Sequence, residues 1–203
     1  MSPSVTQGRK LPRRFYARDT LKVARELLGA IIVREIGGTR LAARIVEVEA
    51  YPGRGDPASH SYRGPTRRNA VMFGKGGHLY VYFTYGMHFC ANVVTGEKGE
   101  GCAVLIRAVE PVTGAARMIR NRKLGTAPVI PRLLTGGPAM VCQALGLTSR
   151  NNGMGLTGTK LYLTRGEPVP DTGVVRTTRI GISSAKTRKW RFYVRGNPFV
   201  SKK

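Results

Sequence analysis

Short apolar segments joined by tight glycine turns are the feature of this sequence that most limits its fold. Residues 30–36 are followed by the pair Gly37-Gly38 and then by the apolar-rich segment 41–51. A Gly-Gly pair between two β-prone segments is typical of a hairpin. The aromatic segment 79–84 and the segment 89–94 enclose a second turn in the same way. Since hairpins pair antiparallel neighbours, the sequence predicts an antiparallel sheet.

Helices and further strands complete a prediction of the α+β class in one compact domain. Asp19 is predicted to cap the first helix, which Gly29 closes. Two more helices are predicted over 112–122 and 138–147. Residues 1–14 are expected to form a loose basic arm of a single domain that spans all 203 residues. Additional strands are predicted over 102–109, 161–163, 174–182 and 190–194.

Positive charge dominates the composition and is unevenly placed. The chain has 34 Lys+Arg against 11 Asp+Glu, a net charge of +23. Residues 111–166 contain basic side chains and no acid, and the same holds after Asp171. Such a surface favours a polyanionic partner, bound with steep salt dependence. A ribosomal or architectural nucleic-acid protein is an alternative that fits the same charge.

Hydropathy and cysteine content narrow the class of protein further. A hydrophobic content of 41% excludes a disordered chain. No apolar run is long enough to span a membrane, and the polar N-terminus does not resemble a signal peptide, so we expect a cytosolic or nucleoid location. Cys90, Cys102 and Cys142 show no CxxC spacing, which indicates reduced core residues and argues against a zinc site.

Two carboxylates are predicted on one face of the strand over residues 44–51. Glu47, Glu49 and Tyr51 alternate with the apolar side chains of Val46, Val48 and Ala50. Acids weaken binding to a polyanion, so their position suggests catalysis, either water activation or stabilisation of positive charge. A strand with one solvated face is the simpler interpretation, and spacing does not choose between the two glutamates.

Aromatic residues cluster around the second turn. For Tyr80 and Phe83, packing in the core of a sheet is as good an explanation as a functional role. Tyr85 and Met87 instead flank Gly86 at the predicted hairpin tip, where large apolar side chains would be exposed. Exposed side chains of this kind on a basic surface suit insertion between base steps or stacking on bases.

Three polar residues are further candidates. His60 lies in the long polar loop over 52–68, where a solvated side chain is the default interpretation. Arg107 and Asn92 lie within apolar strands, where each needs a partner or a ligand. Together with the carboxylates and tyrosines they would supply what chemistry on a base in duplex DNA requires, namely a catalytic carboxylate, aromatic walls for an extruded base and a wedge to fill the gap.

The sequence resembles the alkyladenine (3-methyladenine, or methylpurine) DNA glycosylases of the mammalian type, a family that also has bacterial members. The matching segments follow one another along nearly the whole chain: residues 44–51, 59–61, 79–87, 89–92, 104–111, 142–145 and 191–198. The resemblance implies an antiparallel or mixed curved sheet with surrounding helices and a protruding hairpin. It implies a monofunctional hydrolase that releases damaged purines from double-stranded DNA and leaves an abasic site. It implies no metal and no cofactor, and we expect a monomer in a bacterial nucleoid, or in the nucleus if the source is eukaryotic.

The resemblance also assigns roles to individual residues. It implies that Glu49 is the general base and that Arg107 orients it and the attacking water. The base pocket would be formed by Tyr51, Ala58, His60, Tyr82 and Asn92, with Asn92 excluding the amino group of guanine. Tyr85 would be the intercalating wedge and Met87 its support. Phosphate contacts are expected from Arg63, Arg67, Arg68 and Lys189.

The sequence leaves two other kinds of protein open, a bifunctional glycosylase and a non-enzymatic nucleic-acid-binding protein. A bifunctional glycosylase needs an amine nucleophile, and Lys75 is the only lysine near these motifs. A non-enzymatic protein that is architectural, ribosomal or damage-binding would explain the charge but not Glu49 with Arg107 inside the sheet. His88 departs from the tyrosine that the family pattern has beside the wedge.

Overall fold

The computed structural model describes residues 8–84, 86–125 and 128–202 and shows an α+β domain built on an eight-stranded antiparallel sheet. The strand order is β3-β4-β5-β2-β1-β6, with β8 pairing both β2 and β7. The strands are β1 (Ile31–Ile36), β2 (Thr39–Tyr51), β3 (Leu79–Thr84), β4 (His88–Thr95), β5 (Cys102–Thr113), β6 (Leu161–Thr164), β7 (Val174–Thr177) and β8 (Arg191–Val194).

Helices cover one face of this sheet. The main hydrophobic core joins Val48 and Ile106 of the sheet to Leu27, Val141 and Leu145 of the helices. Among the described residues no helix is long and apolar enough to cross a membrane. The helices are α1 (Arg13–Tyr16), α2 (Thr20–Leu27), α3 (Ala115–Asn121), α4 (Pro131–Thr135) and α5 (Pro138–Leu145).

The two predicted hairpins and the first helix cap are confirmed. Gly37 and Gly38 both have positive φ, 55° and 69°, as a tight turn between β1 and β2 requires. The register of β3 with β4 ends at Thr84 opposite His88. The side chain of Asp19 accepts a 2.9 Å hydrogen bond from the backbone N–H of Lys22 at the start of α2.

Four predicted boundaries were wrong. The strand β5 continues to Thr113, and α3 begins only after Gly114, whose φ of 80° breaks the strand. The strand predicted over 174–182 ends at Thr177. The loose arm predicted over 1–14 is wrong for its second half, because Leu11 is buried and its N–H donates to Leu163; residues 1–7 lie outside the described part. The helix α4 was not predicted.

A pair of β-bulges in the centre of the sheet corrects the predicted alternation. Ile45 pairs with Val109, but Glu47 pairs with Ala108, so Val46 has no partner on β5. Val46 therefore leaves the face of Val48 and packs in a separate small cluster. Arg107 is the corresponding extra residue on β5, since the next pair is Val48 with Ile106. Bulges re-aim side chains, and these two bring Glu47 and Arg107 within reach of each other.

Candidate active site

A cavity of about 550 Å³ lies against the sheet. On β5, Val104 and Ile106 pack in the main core, whereas Leu105 and Arg107 line the cavity, as strand alternation requires. This volume falls within the range of about 300–1,000 Å³ typical of small-molecule sites. The residues that line it come from the strands β2 to β5, the loop after β2, the start of α5 and the segment 180–183.

Glu49 is completely buried beside this cavity and is held by three donors. The phenol of Tyr51 donates to Oε2 at 2.8 Å, and the backbone N–H of Ile180 donates to Oε1 at 2.7 Å. The guanidinium of Arg107 lies 3.2 Å from Oε2. All three donors line the cavity, so the carboxylate lies directly behind the cavity wall that they form. Their charge-assisted bonds offset the cost of burying the charge.

Glu47 is equally buried but is held mainly by other donors. Arg191 donates to Oε1 of Glu47 at 2.7 Å. The backbone N–H of Ser201 donates to Oε2 at 2.7 Å, and the Ser201 hydroxyl donates to Oε1 at 2.9 Å. Arg107 also donates to Oε1 of Glu47, at 3.2 Å, and among these partners it alone lines the cavity. The two glutamates that spacing could not separate thus differ in surroundings: Glu47 ties the sheet to the C-terminal segment, and Glu49 is held by donors that all line the cavity.

Arg107 lies between the two carboxylates. Burial works against its charge, but Glu49 and Glu47 outweigh that effect and raise the pKa of the guanidinium. The arginine therefore keeps a fixed positive charge at the floor of the cavity.

Aromatic rings form the walls of the cavity. The His60 ring meets the Tyr82 ring edge-on at 4.5 Å, and its Nδ1 is 3.1 Å from the Tyr80 hydroxyl. Burial, aided by the nearby charge of Arg68, lowers the pKa of His60, so the imidazole is neutral at pH 7. Burial likewise raises the pKa of Tyr80 to about 12 and raises the pKa values of Tyr51 and Tyr82 above their usual range. At neutral pH the walls therefore carry no charge of their own.

Two other predicted pocket residues have partners within the protein. The amide of Asn92 donates to the carbonyl of Tyr80 at 3.2 Å, which fixes the side chain against the cavity. The N–H of Ala58 donates to Asp56 at 3.2 Å. A contact from Ala58 to a bound base would therefore come from its carbonyl or would replace that bond.

Of the predicted DNA-contacting residues, those that the structure describes lie outside the cavity lining. Arg68 extends over the Tyr82 ring at 5.6 Å and donates to the carbonyl of Phe83 at 3.0 Å. Met87 is 69% exposed and Phe83 is 49% exposed on the β3–β4 hairpin. Tyr85, the predicted wedge, lies outside the described residues. Arg63, Arg67 and Lys189 are exposed.

The segment that follows β7 belongs to the site but was not predicted from the sequence. Arg179 is buried and forms an ion pair with Asp56, and Ile180 supplies a donor to Glu49. Gly181, with a φ of 73°, turns the chain directly after Ile180, so the segment lines the cavity instead of continuing the strand. Asp56 is one of only eleven acids in a basic chain, which was the one available signal.

A buried carboxylate behind an aromatic-walled cavity, on a strongly basic chain with an exposed apolar hairpin, fits the class of enzymes that act on the bases of nucleic acids. A model of the family described as Methylpurine-DNA glycosylase (MPG) matches residues 14–198, and the chain belongs to this family. It is accordingly a hydrolase that cleaves N-glycosidic bonds and a DNA repair enzyme for alkylation damage.

Similar proteins come from bacteria and archaea. A relative from Carboxydothermus hydrogenoformans is 54% identical over 194 residues, which cover 95% of this chain and 99% of the relative. Relatives from Methanoculleus marisnigri and Myxococcus xanthus are each 49% identical, covering 95% of this chain and 99% and 93% of their own lengths. All three bear the name "Putative 3-methyladenine DNA glycosylase".

Proposed function

We propose that this chain is a monofunctional glycosylase that flips damaged purines out of duplex DNA and hydrolyses the N-glycosidic bond with a water activated by Glu49. The substrates are alkylated adenine and guanine and also hypoxanthine, and the product is an abasic site. The observation that carries the proposal is the buried carboxylate of Glu49, whose three donors all line the cavity.

The chemistry follows from the position of that carboxylate. As the bond between base and sugar breaks, positive charge develops on the sugar, and a nearby carboxylate stabilises it. Glu49 accepts a proton from the attacking water while the water oxygen bonds to C1′ of the sugar. Arg107 and Tyr51 hold Oε2 and the N–H of Ile180 holds Oε1, so the carboxylate keeps one orientation and little reorganisation is needed during the reaction.

The aromatic walls support purine selection by shape. Tyr51, His60 and Tyr82 line the cavity with aromatic rings against which a planar base would stack, and these rings would attract a cationic alkylated purine. Asn92, fixed by its bond to Tyr80, would crowd the exocyclic amino group of guanine and so exclude that base. Both contacts require that the base has left the helix.

The basic surface and the hairpin support binding and base extrusion. A net charge of +23 attracts the phosphate backbone, and we propose contacts from Arg63, Arg67, Arg68 and Lys189. The exposed Met87, with Tyr85 and Phe83 nearby in sequence, would fill the space that an extruded base leaves. We propose that the protein acts as a monomer.

The mechanism as a monofunctional hydrolase is favoured over one with an amine nucleophile. Lys75 does not line the cavity, and no lysine is among the described residues that do. Borohydride treatment during the reaction should therefore trap no covalent complex with DNA, whereas a trapped complex would establish the bifunctional mechanism.

The deciding experiment compares wild type with Glu49→Gln on duplexes that carry one hypoxanthine or one alkylated purine. Alkaline cleavage at the abasic site reports base release. We expect release by the wild type, none by Glu49→Gln, and equal DNA binding by both. Glu26→Gln, a change in an exposed surface pair with Arg18, is the matched control and should release bases normally. Normal turnover by Glu49→Gln would overturn the proposal.

A further inference from the structure

Arg179 is fully buried near the cavity and has no role in the mechanism described above. Its guanidinium forms a two-pronged ion pair with Asp56, in which Nη2 lies 2.7 Å from Oδ1 and Nη1 bonds to Oδ2. Nη1 also donates to the carbonyl of Ala50 at 3.0 Å. One side chain therefore joins the end of β2, the loop that follows it and the segment after β7.

The ion pair organises the loop that carries the base-pocket residues. The carboxylate of Asp56 accepts from the N–H of Ala58, and its carbonyl accepts from the N–H of Ser59 at 2.8 Å. His60 follows directly. A loop built this way depends on a fixed Asp56, and Arg179 is the only described residue that forms an ion pair with that carboxylate.

Arg179 also fixes the Tyr51 ring. Its guanidinium lies 4.6 Å from the centre of that ring and 5.0 Å from the centre of the Trp190 ring. The phenol at the far end of the Tyr51 ring donates to Glu49. The next residue along the chain, Ile180, supplies the backbone donor to the other carboxylate oxygen.

We propose that Arg179, held by Asp56, is a positioning residue for hydrolysis, because it places two of the three donors that orient Glu49. This inference rests on the proposed role of Glu49 as general base. It does not make Arg179 a contact to DNA. A buried ion pair is weak support for stability by itself, because the cost of dehydrating both charges rivals their attraction. Catalytic alignment gives this pair a function that a well-packed apolar pair could not supply.

The test is Arg179→Lys, which keeps the positive charge but loses the bidentate hydrogen bonds to Asp56 and the planar guanidinium that lies against the Tyr51 ring. Base release is measured with enzyme in excess over DNA. Affinity for the same lesion duplex is measured with proteins that also carry Glu49→Gln, so that the base is not released during the measurement. We expect the single-turnover rate to fall about 10- to 100-fold, since small misplacements of catalytic groups cost that much, while affinity stays within about twofold. Arg179→Met should be slower than Arg179→Lys.

Two further variants separate alignment from folding. Asp56→Asn keeps the arginine side chain but removes its charged partner, and it should show the same loss of rate without loss of affinity. Arg122→Lys is the control, because Arg122 also holds backbone carbonyls, those of Leu133 at 2.8 Å and Leu134 at 3.0 Å, but does not line the cavity. It should lower thermal stability without slowing base release.

The outcomes are distinguishable from failure of the proposed function. If Glu49→Gln is inactive while folded Arg179→Lys and Asp56→Asn react at the wild-type rate, this inference alone is overturned. If rate, affinity and melting temperature fall in proportion in both variants, the pair is structural and the inference is again overturned. If Arg179→Lys does not fold, Asp56→Asn alone decides by the same criteria.

Discussion

Arg107 joins the two buried carboxylates of β2: its Nε lies 3.2 Å from Oε1 of Glu47, and its Nη1 lies 3.2 Å from Oε2 of Glu49. The bulge at Arg107 makes this possible, because it offsets the side chain relative to its partners on β2. Neither carboxylate lines the cavity itself, but all three donors to Glu49 do, whereas Arg191 and Ser201, which hold Glu47, do not. Substitutions of the two glutamates should consequently have different effects.

Glu47→Gln is expected to act on stability more than on chemistry. It removes the only ion pair of the buried Arg191 among the described residues, and leaving such a charge unpaired costs about 3–5 kcal/mol. Glu49→Gln leaves both arginines paired with Glu47 and should destabilise less, while abolishing base release. Urea unfolding and single-turnover release on both variants check this prediction. A Glu47→Gln protein as stable as wild type would contradict it.

Local sequence patterns were enough to predict the frame of the sheet. The hairpin at Gly37-Gly38, the Asp19 cap and the strand that carries Arg107 each depend on neighbouring residues. The α+β class follows from those elements.

Long-range pairings could not be predicted in the same way. The segment 174–182 has the composition of a strand, but Arg179 pairs with Asp56, 123 residues away, and Ile180 donates to Glu49. The bulge at Val46 could not be predicted either, because the alternation of apolar and polar residues along one strand does not show which residues of the neighbouring strand they pair with. The family resemblance pointed to part of the cavity lining, namely Tyr51, Ala58, His60, Tyr82, Asn92 and Arg107, but not to residues 180–183, and the distances between these residues required the fold.

Acid should destabilise the protein partly through His60. Burial and Arg68 lower the pKa of this histidine below its ordinary value of 6.5, so the unfolded chain binds the proton more readily than the folded one. Its contribution to stability is complete above about pH 6.5 and declines as the pH falls below that value. Melting temperatures measured from pH 8 to pH 5 should fall less steeply for His60→Gln than for wild type. Parallel curves would show that His60 titrates normally.

Asn92→Ala should relax discrimination against guanine. The substitution removes the amide that would crowd the exocyclic amino group, and it also removes the bond to the Tyr80 carbonyl, which costs about 1 kcal/mol of stability. We expect measurable release of guanine from undamaged duplexes by the variant and none by wild type, with hypoxanthine release reduced by less than about tenfold, because one hydrogen bond contributes about 1 kcal/mol and a tenfold change needs about 1.4 kcal/mol. Guanine release unchanged from the wild-type background would exclude this role.

Binding to DNA should depend steeply on salt, with identifiable contributions from the loop beside the cavity. Arg63 and Arg67 are exposed there, and unlike Arg68 neither donates a hydrogen bond within the described part of the chain. If each neutralises one phosphate, Arg63→Ala and Arg67→Ala should each reduce the slope of log affinity against log salt by about one and weaken damaged and undamaged duplexes equally. Lys98→Ala, an exposed change beside Glu97 outside the cavity lining, is the control and should leave the slope unaltered. Titrations of both duplexes at four salt concentrations measure the slopes, and equal slopes for all variants would remove these arginines from the DNA interface.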